Sequence, residues 1–182
     1  MRRPFAAAIP LLALATLLAA CVSRRAPEPV SDFRLAEGFA THRPADVAVL
    51  AVEGSLPKET AELLREALRR HLLDLRYAPV RTKEIDSRPE EFRAGGANAV
   101  LALVVSKWGE EALHGAGTLV LSGDLRLTGP GAADPLYSVH LQDVVVDARR
   151  TSRVWEDRAR SIAAAADEAA VVLLAGLPPK GD

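Results

Sequence analysis

Two stretches of the chain, Asp46-Val-Ala-Val-Leu-Ala-Val52 and Ala99-Val-Leu-Ala-Leu-Val-Val105, are apolar at nearly every position rather than at alternate ones. A strand that is apolar on both sides can leave neither side in water, so it belongs inside a sheet covered on both faces, the usual setting of parallel strands. Between the two runs, Ser55 and Pro57 supply a helix start, and Ala61, Leu64, Leu68, Leu72 and Leu75 recur at three and four residues along one face. Glu59 and Glu62 sit near the positive end of this helix and Arg69 and Arg70 near its negative end, with Glu66 one turn before Arg70. Tyr77 to Arg81 reads as a short strand that its proline confines to an edge or to the start of its pairing. Pro89 opens a brief helical turn through Phe92, and Gly95-Gly96 ends it. The chain therefore starts β-α-β-α-β.

From Thr118 to Thr128 the pattern becomes strict alternation, with Leu119, Leu121, Leu125 and Leu127 on one side and Ser122, Asp124, Arg126 and Thr128 on the other. Such a strand has one wet face. Gly129-Pro-Gly-Ala-Ala-Asp-Pro135 is a turn-rich connection. Tyr137, Val139 and Leu141 then alternate until Val144 and Val146 take over the apolar phase, a slip that predicts a bulge near Gln142. A turn at Arg149 to Ser152 leads to a strand around Val154-Trp155. Ile162, Ala163, Ala166, Ala170, Leu173 and Leu174 line a final helix stopped by Gly176 and Pro178. The expected fold class is α/β (α+β): a mixed sheet with a β-α-β-α-β start, antiparallel hairpins and a C-terminal helix packed on the sheet.

Met1-Arg2-Arg3, then Pro4 to Ala20 without a charge, then Cys21, is the layout of a positive n-region, an apolar h-region and a small-residue cleavage site. Pro4 and Pro10 interrupt a run already short for a membrane span, so removal is expected. Leu18-Ala19-Ala20-Cys21 resembles the lipobox of bacterial lipoproteins, which implies cleavage between Ala20 and Cys21 and acylation of Cys21. Val22 stands where the inner-membrane retention signal would place Asp, so the resemblance implies an outer-membrane location. Val22 to about Arg43 holds Arg24-Arg25 and several prolines, the composition of an extended tether. The expected organisation is a signal peptide over 1–20, a lipidated cysteine and flexible tether over 21–44, one periplasmic domain over 45–176 and a disordered tail over 177–182.

Composition removes several function classes. The 182 residues hold 23 Lys plus Arg against 24 Asp plus Glu, so the surplus of clustered cations that a nucleic-acid binder needs is missing. A single cysteine excludes an internal disulfide and a multi-thiolate metal site.

The lipobox, the Val-Ala-Val-Leu strand, the Arg76-Tyr77-Ala-Pro-Val strand and Gly96-Ala-Asn-Ala-Val-Leu-Ala-Leu-Val-Val-Ser-Lys-Trp-Gly109 together resemble bacterial lipoproteins whose domain is similar to the amino-terminal domain of TolB. In that group a Gly-Ala-Asp-Ala segment leads into the central strand, and here Asn98 replaces the acid. Asp147-Ala-Arg-Arg-Thr151-Ser-Arg-Val-Trp155 is similar to the group's Asp, Thr-Gly and Trp hairpin, with Ser152 in place of the glycine. The resemblance spans about Ala45 to Leu174. The wider superfamily includes CsgG-like and LpoB-like lipoproteins, so it implies a non-catalytic protein that docks onto other envelope components.

Chemical motifs are sparse. Leu121-Ser122-Gly123-Asp124 lacks the preceding glycine of a nucleophile elbow and suits an alternating strand. Glu110, Glu111 and His114 have helical ligand spacing, but Gly109, Gly115 and Gly117 argue for a solvated loop. His42, His71 and His140 fall in a tether, a helix and a strand. Gly129-Pro130-Gly131 has no helix behind it to make a phosphate cradle. Trp108 and Trp155 are scarce aromatics at strand ends, to be read as sheet-rim packing or as interaction residues. No catalytic residue, metal or cofactor is expected. The expected role is an accessory or assembly component of an envelope transport or secretion system, with a protein partner and a capacity to self-associate. The alternatives are a CsgG-like self-oligomerising pore, whose mark would be paired strands with a continuous apolar outer face, and a structural surface lipoprotein.

Overall fold

The computed structural model describes residues 30–94, 98–150 and 157–181. Among these residues seven strands are formed, β1 (Val30–Leu35), β2 (Asp46–Val49), β3 (Glu53–Gly54), β4 (Ala78–Pro79), β5 (Ala99–Gly109), β6 (Thr118–Thr128) and β7 (Pro135–Asp147). They are accompanied by helices α1 (Lys58–Asp74), α2 (Thr82–Ser87), α3 (Pro89–Arg93), α4 (Leu113–Ala116) and α5 (Arg158–Leu174). The strands make one mixed sheet in the order β1-β7-β6-β5-β2-β4, with β3 added beside β5. β2 runs parallel to both β4 and β5, whereas β5, β6, β7 and β1 are antiparallel in turn. The expected α/β class, with its mixed sheet and C-terminal helix, is what the chain forms.

The two faces of the sheet are covered unequally. α1 and α5 lie side by side on one face, where Leu64, Leu68 and Leu72 of α1 and Ala165, Ala169, Ala170 and Leu173 of α5 meet Val47, Val49, Leu101, Leu121, Leu125 and Val139 in the main core. The alanines of α5 keep that helix slim enough to lie close to its neighbours. Among the described residues the opposite face is covered only at its parallel end, by Ile85 of α2 and Phe92 of α3 packed on Ala48. This limits the second apolar run: Ala99, Leu101, Leu103 and Val105 are buried, but Val104 on the other side is 49% exposed because α2 and α3 do not reach that far.

α1 has the span its apolar stripe predicts and ends in a Schellman turn. The Arg76 N–H donates to Leu73 O and the Tyr77 N–H to Leu72 O, with Arg76 left-handed at φ 66° in the place usually taken by glycine. α5 is capped by Asp157, whose carboxylate accepts from the Ala159 and Arg160 N–H groups. At β3 the backbone of Gly54 comes so close to Val105 O that a Cβ would lie 1.9 Å from that oxygen.

The expected boundaries change at both ends. Val30–Leu35, placed in the tether, is the edge strand β1, in antiparallel register with β7 from Val30 opposite Gln142 to Leu35 opposite Tyr137. An edge strand needs partners on only one side, and β7 supplies them from more than a hundred residues away. The tail is not loose either. Leu177 is buried, the Lys180 N–H donates to Leu75 O, Arg43 Nη1 donates to Pro179 O and Tyr77 Oη donates to Pro178 O. Helix α2 was not anticipated, and the strand expected around Val154-Trp155 lies outside the described residues.

Candidate functional site

Cys21 and Ala20, the proposed lipidation and cleavage positions, and Trp155 lie outside the described residues. No helix among the described residues is long and apolar enough to cross a membrane.

Trp108 stands near the end of β5, half-buried against the main core. Its indole Nε1 donates to Glu110 Oε1 at 2.9 Å, and the other oxygen of that carboxylate lies 3.5 Å from Arg158 Nη2 at the start of α5. Glu110, Glu111 and His114, read as a solvated loop, gather with Trp108, Pro57 and Arg158 around a concavity of about 520 Å³. Glu110 is therefore a structural tie between a strand end and a helix start. Among the described residues no group of three His, Cys, Asp or Glu side chains could hold a metal ion.

Ser122 is explained by the predicted bulge. Leu121 pairs with Val144 and Gly123 with Leu141, so Ser122 faces two residues, Gln142 and Asp143. The Asp143 N–H, displaced from the ladder at φ 50°, donates to Ser122 Oγ at 2.8 Å. On the other side Ser106 is the extra residue of β5 between Val105 and Lys107, and Lys107 Nζ lies 2.6 Å from Asp143 Oδ1. A serine hydroxyl at this point satisfies a displaced backbone donor.

The histidines do not meet. His42 bonds to Thr41 and Gly38, His71 lies between Asp74 and Asp167, and His140 is hydrogen-bonded through Nδ1 to Asp124 Oδ1 at 2.9 Å. His140 and Asp124 are opposite one another on the open face of the sheet, which continues through Asp32, Arg34, Arg126 and Ser138. Hence the β6–β7 hairpin has one face buried under the helices and the other mixed, charged at Asp124, Arg126 and His140 and apolar at Val145, so that outer face is not continuously apolar as in a membrane-inserting hairpin.

One residue escaped notice in the sequence. Arg65 of α1 is only 7% exposed, with its Nε donating to Val49 O at 2.9 Å and its Nη1 to Asp86 Oδ1 at 2.8 Å. It borders a cavity of about 310 Å³ beyond the end of β2. An arginine at helical spacing from Leu68 and Ala61 carries a weak signal of burial, and its partner sits on the unanticipated α2.

The sequence matches no family model and no curated protein. Among solved structures the chain is similar to the PelC dodecamer from Paraburkholderia phytofirmans, at 12% identity and a TM-score of 0.47 over 80% of this chain and 96% of that one. It is also similar to lipoprotein GNA1162 from Neisseria meningitidis, at 16% identity and a TM-score of 0.43 over 56% of this chain and 81% of that one. Likenesses of this order assign no function to the chain.

Proposed function

We propose that the protein is a lipoprotein held through Cys21 in the bacterial outer membrane, facing the periplasm. There it serves as a non-catalytic accessory or assembly component of a cell-envelope transport or secretion system. The observation that carries this reading is the order of residues at the amino terminus: Arg2-Arg3, the charge-free Pro4 to Ala20, and Leu18-Ala19-Ala20 before Cys21. A thiol at the cut is the group that forms the thioether, and two or three acyl chains at about 0.8 kcal/mol per buried methylene hold a protein at a bilayer essentially permanently. The accessory role is supported by the resemblance to TolB-like lipoproteins.

Two measurements test it. The Cys21→Ala protein is expected in the soluble periplasmic fraction, and its persistence in the membrane pellet overturns the anchor. Crosslinking in intact cells, followed by mass measurement of what is purified with the chain, is expected to give a stoichiometric envelope transport or secretion subunit. A closed ring of this chain alone overturns the accessory role in favour of self-assembly.

A further inference from the structure

The carboxyl end of β2 is where the crossovers of the sheet part. After Val49 the chain passes to α1 on one face, and after Pro79 it passes to α2 on the other. Two neighbouring parallel strands whose connections leave toward opposite faces open a crevice between them, the place where open α/β sheets bind ligands. The cavity of about 310 Å³ lies there, bordered by Ala51 and Val52 after β2, by Lys58, Glu62 and Arg65 of α1 and by Asp86 of α2.

Arg65 sets this cavity apart from the others. Two corners of its guanidinium are fixed, on Val49 O and on Asp86, while Nη2 is buried with no hydrogen-bond partner among the described residues. A guanidinium offers a planar fork of donors, and an unpaired buried donor carries an uncompensated desolvation cost. Held rigidly with one corner unused, it is a receptor for an acceptor group, best of all a planar or tetrahedral oxyanion. The start of α1 adds to the attraction: its N-cap is Pro57, no side chain caps its first turn, and Lys58 there makes only a loose, solvated pair with Glu62 at 4.0 Å.

The geometry points to a binding site for a small molecule bearing one oxyanion, a phosphate or a carboxylate, with Arg65 as its buried anchor and Lys58 as a swinging second cation. Asp86 neutralises part of the guanidinium and Glu62 repels a second negative group, so the site takes a ligand of low charge. The site rests on the fold alone and holds whether or not Cys21 is acylated.

The test follows the Arg65 Nε–H resonance of the ¹⁵N-labelled full chain, a proton protected by its bond to Val49 O, during titration with inorganic phosphate and separately with acetate. A saturable shift is expected, and the probe that produces it distinguishes a phosphoryl from a carboxylate ligand. Lys58→Ala should weaken binding by about two- to fivefold and Glu62→Gln should tighten it by a similar factor, the size expected of solvated charges. No saturation with either probe, or saturation that neither variant alters, overturns the site and leaves Nη2 to a bound water.

Discussion

The parallel and antiparallel ends of the sheet are made of strands with similar apolar content but opposite fates. At the parallel end Val47 and Val49 face α1 while Ala48 is sealed beneath α2 and α3, so β2 has no wet side. At the antiparallel end β6 and β7 bury Leu125 and Val139 beneath the helices but turn Asp124, His140 and Arg126 to solvent. β5 belongs to both, parallel to β2 along one edge and antiparallel to β6 along the other. The contrast teaches that a run of apolar residues reports how much cover a strand can use, while the position of the covering helices decides how much it receives.

The sharpest way to break the comparison is to place a charge on the covered part of the second face. Ala48→Asp puts an unpaired carboxylate where the residue is fully buried, and the expected loss is about 3–5 kcal/mol or failure to fold, read by urea unfolding. A loss under about 1 kcal/mol would mean that α2 and α3 do not seal this face.

A smaller effect is expected where the antiparallel end meets α5. Tyr137 Oη donates to Leu173 O at 2.9 Å and accepts from the Gly176 N–H at 3.3 Å, so Tyr137→Phe should cost about 1–2 kcal/mol. Burial pushes the phenol up to about 12. Because the folded state holds this proton more tightly than the unfolded state, the stabilisation is complete below about pH 10 and drains away as the pH rises toward 12. The phenylalanine variant should lose part of that alkaline slope in a pH series of unfolding curves, and an unchanged slope would show that Tyr137 is solvated.

The smallest effect belongs to the open face. Asp124→Asn weakens a pair whose side chains are each about half exposed, and stability should stay within about 0.5 kcal/mol. A loss comparable to that of Ala48→Asp would show that this face is covered after all, and the contrast between the two ends would fall.

Much of this was legible from local pattern. The α1 stripe, the alternation of β6 and the phase slip at Gln142 are written in residues close together in sequence, and each is found where the pattern places it. What escaped depends on distant partners. Val30–Leu35 has weak alternation and becomes a strand only because β7 offers Tyr137 to Gln142 as a template. Arg65 resembles Arg69 and Arg70 in the sequence, yet only Arg65 faces Val49 O and Asp86. The Trp108 to Glu110 bond was within reach, since the two residues are only two apart at the end of β5, but its meaning depends on Arg158 arriving from the other end of the chain.

The recruitment of β1 into the sheet also sets a mechanical limit. A tether ending at residue 44 would allow the domain to stray about 80 Å from a lipid on Cys21, but the chain from Cys21 to Val30 can span at most about 30 Å. Under the proposed acylation of Cys21, the domain would be leashed to the layer just above the bilayer. Any tug on that leash enters the fold along the backbone of β1 and is carried into β7 through the whole length of their shared ladder.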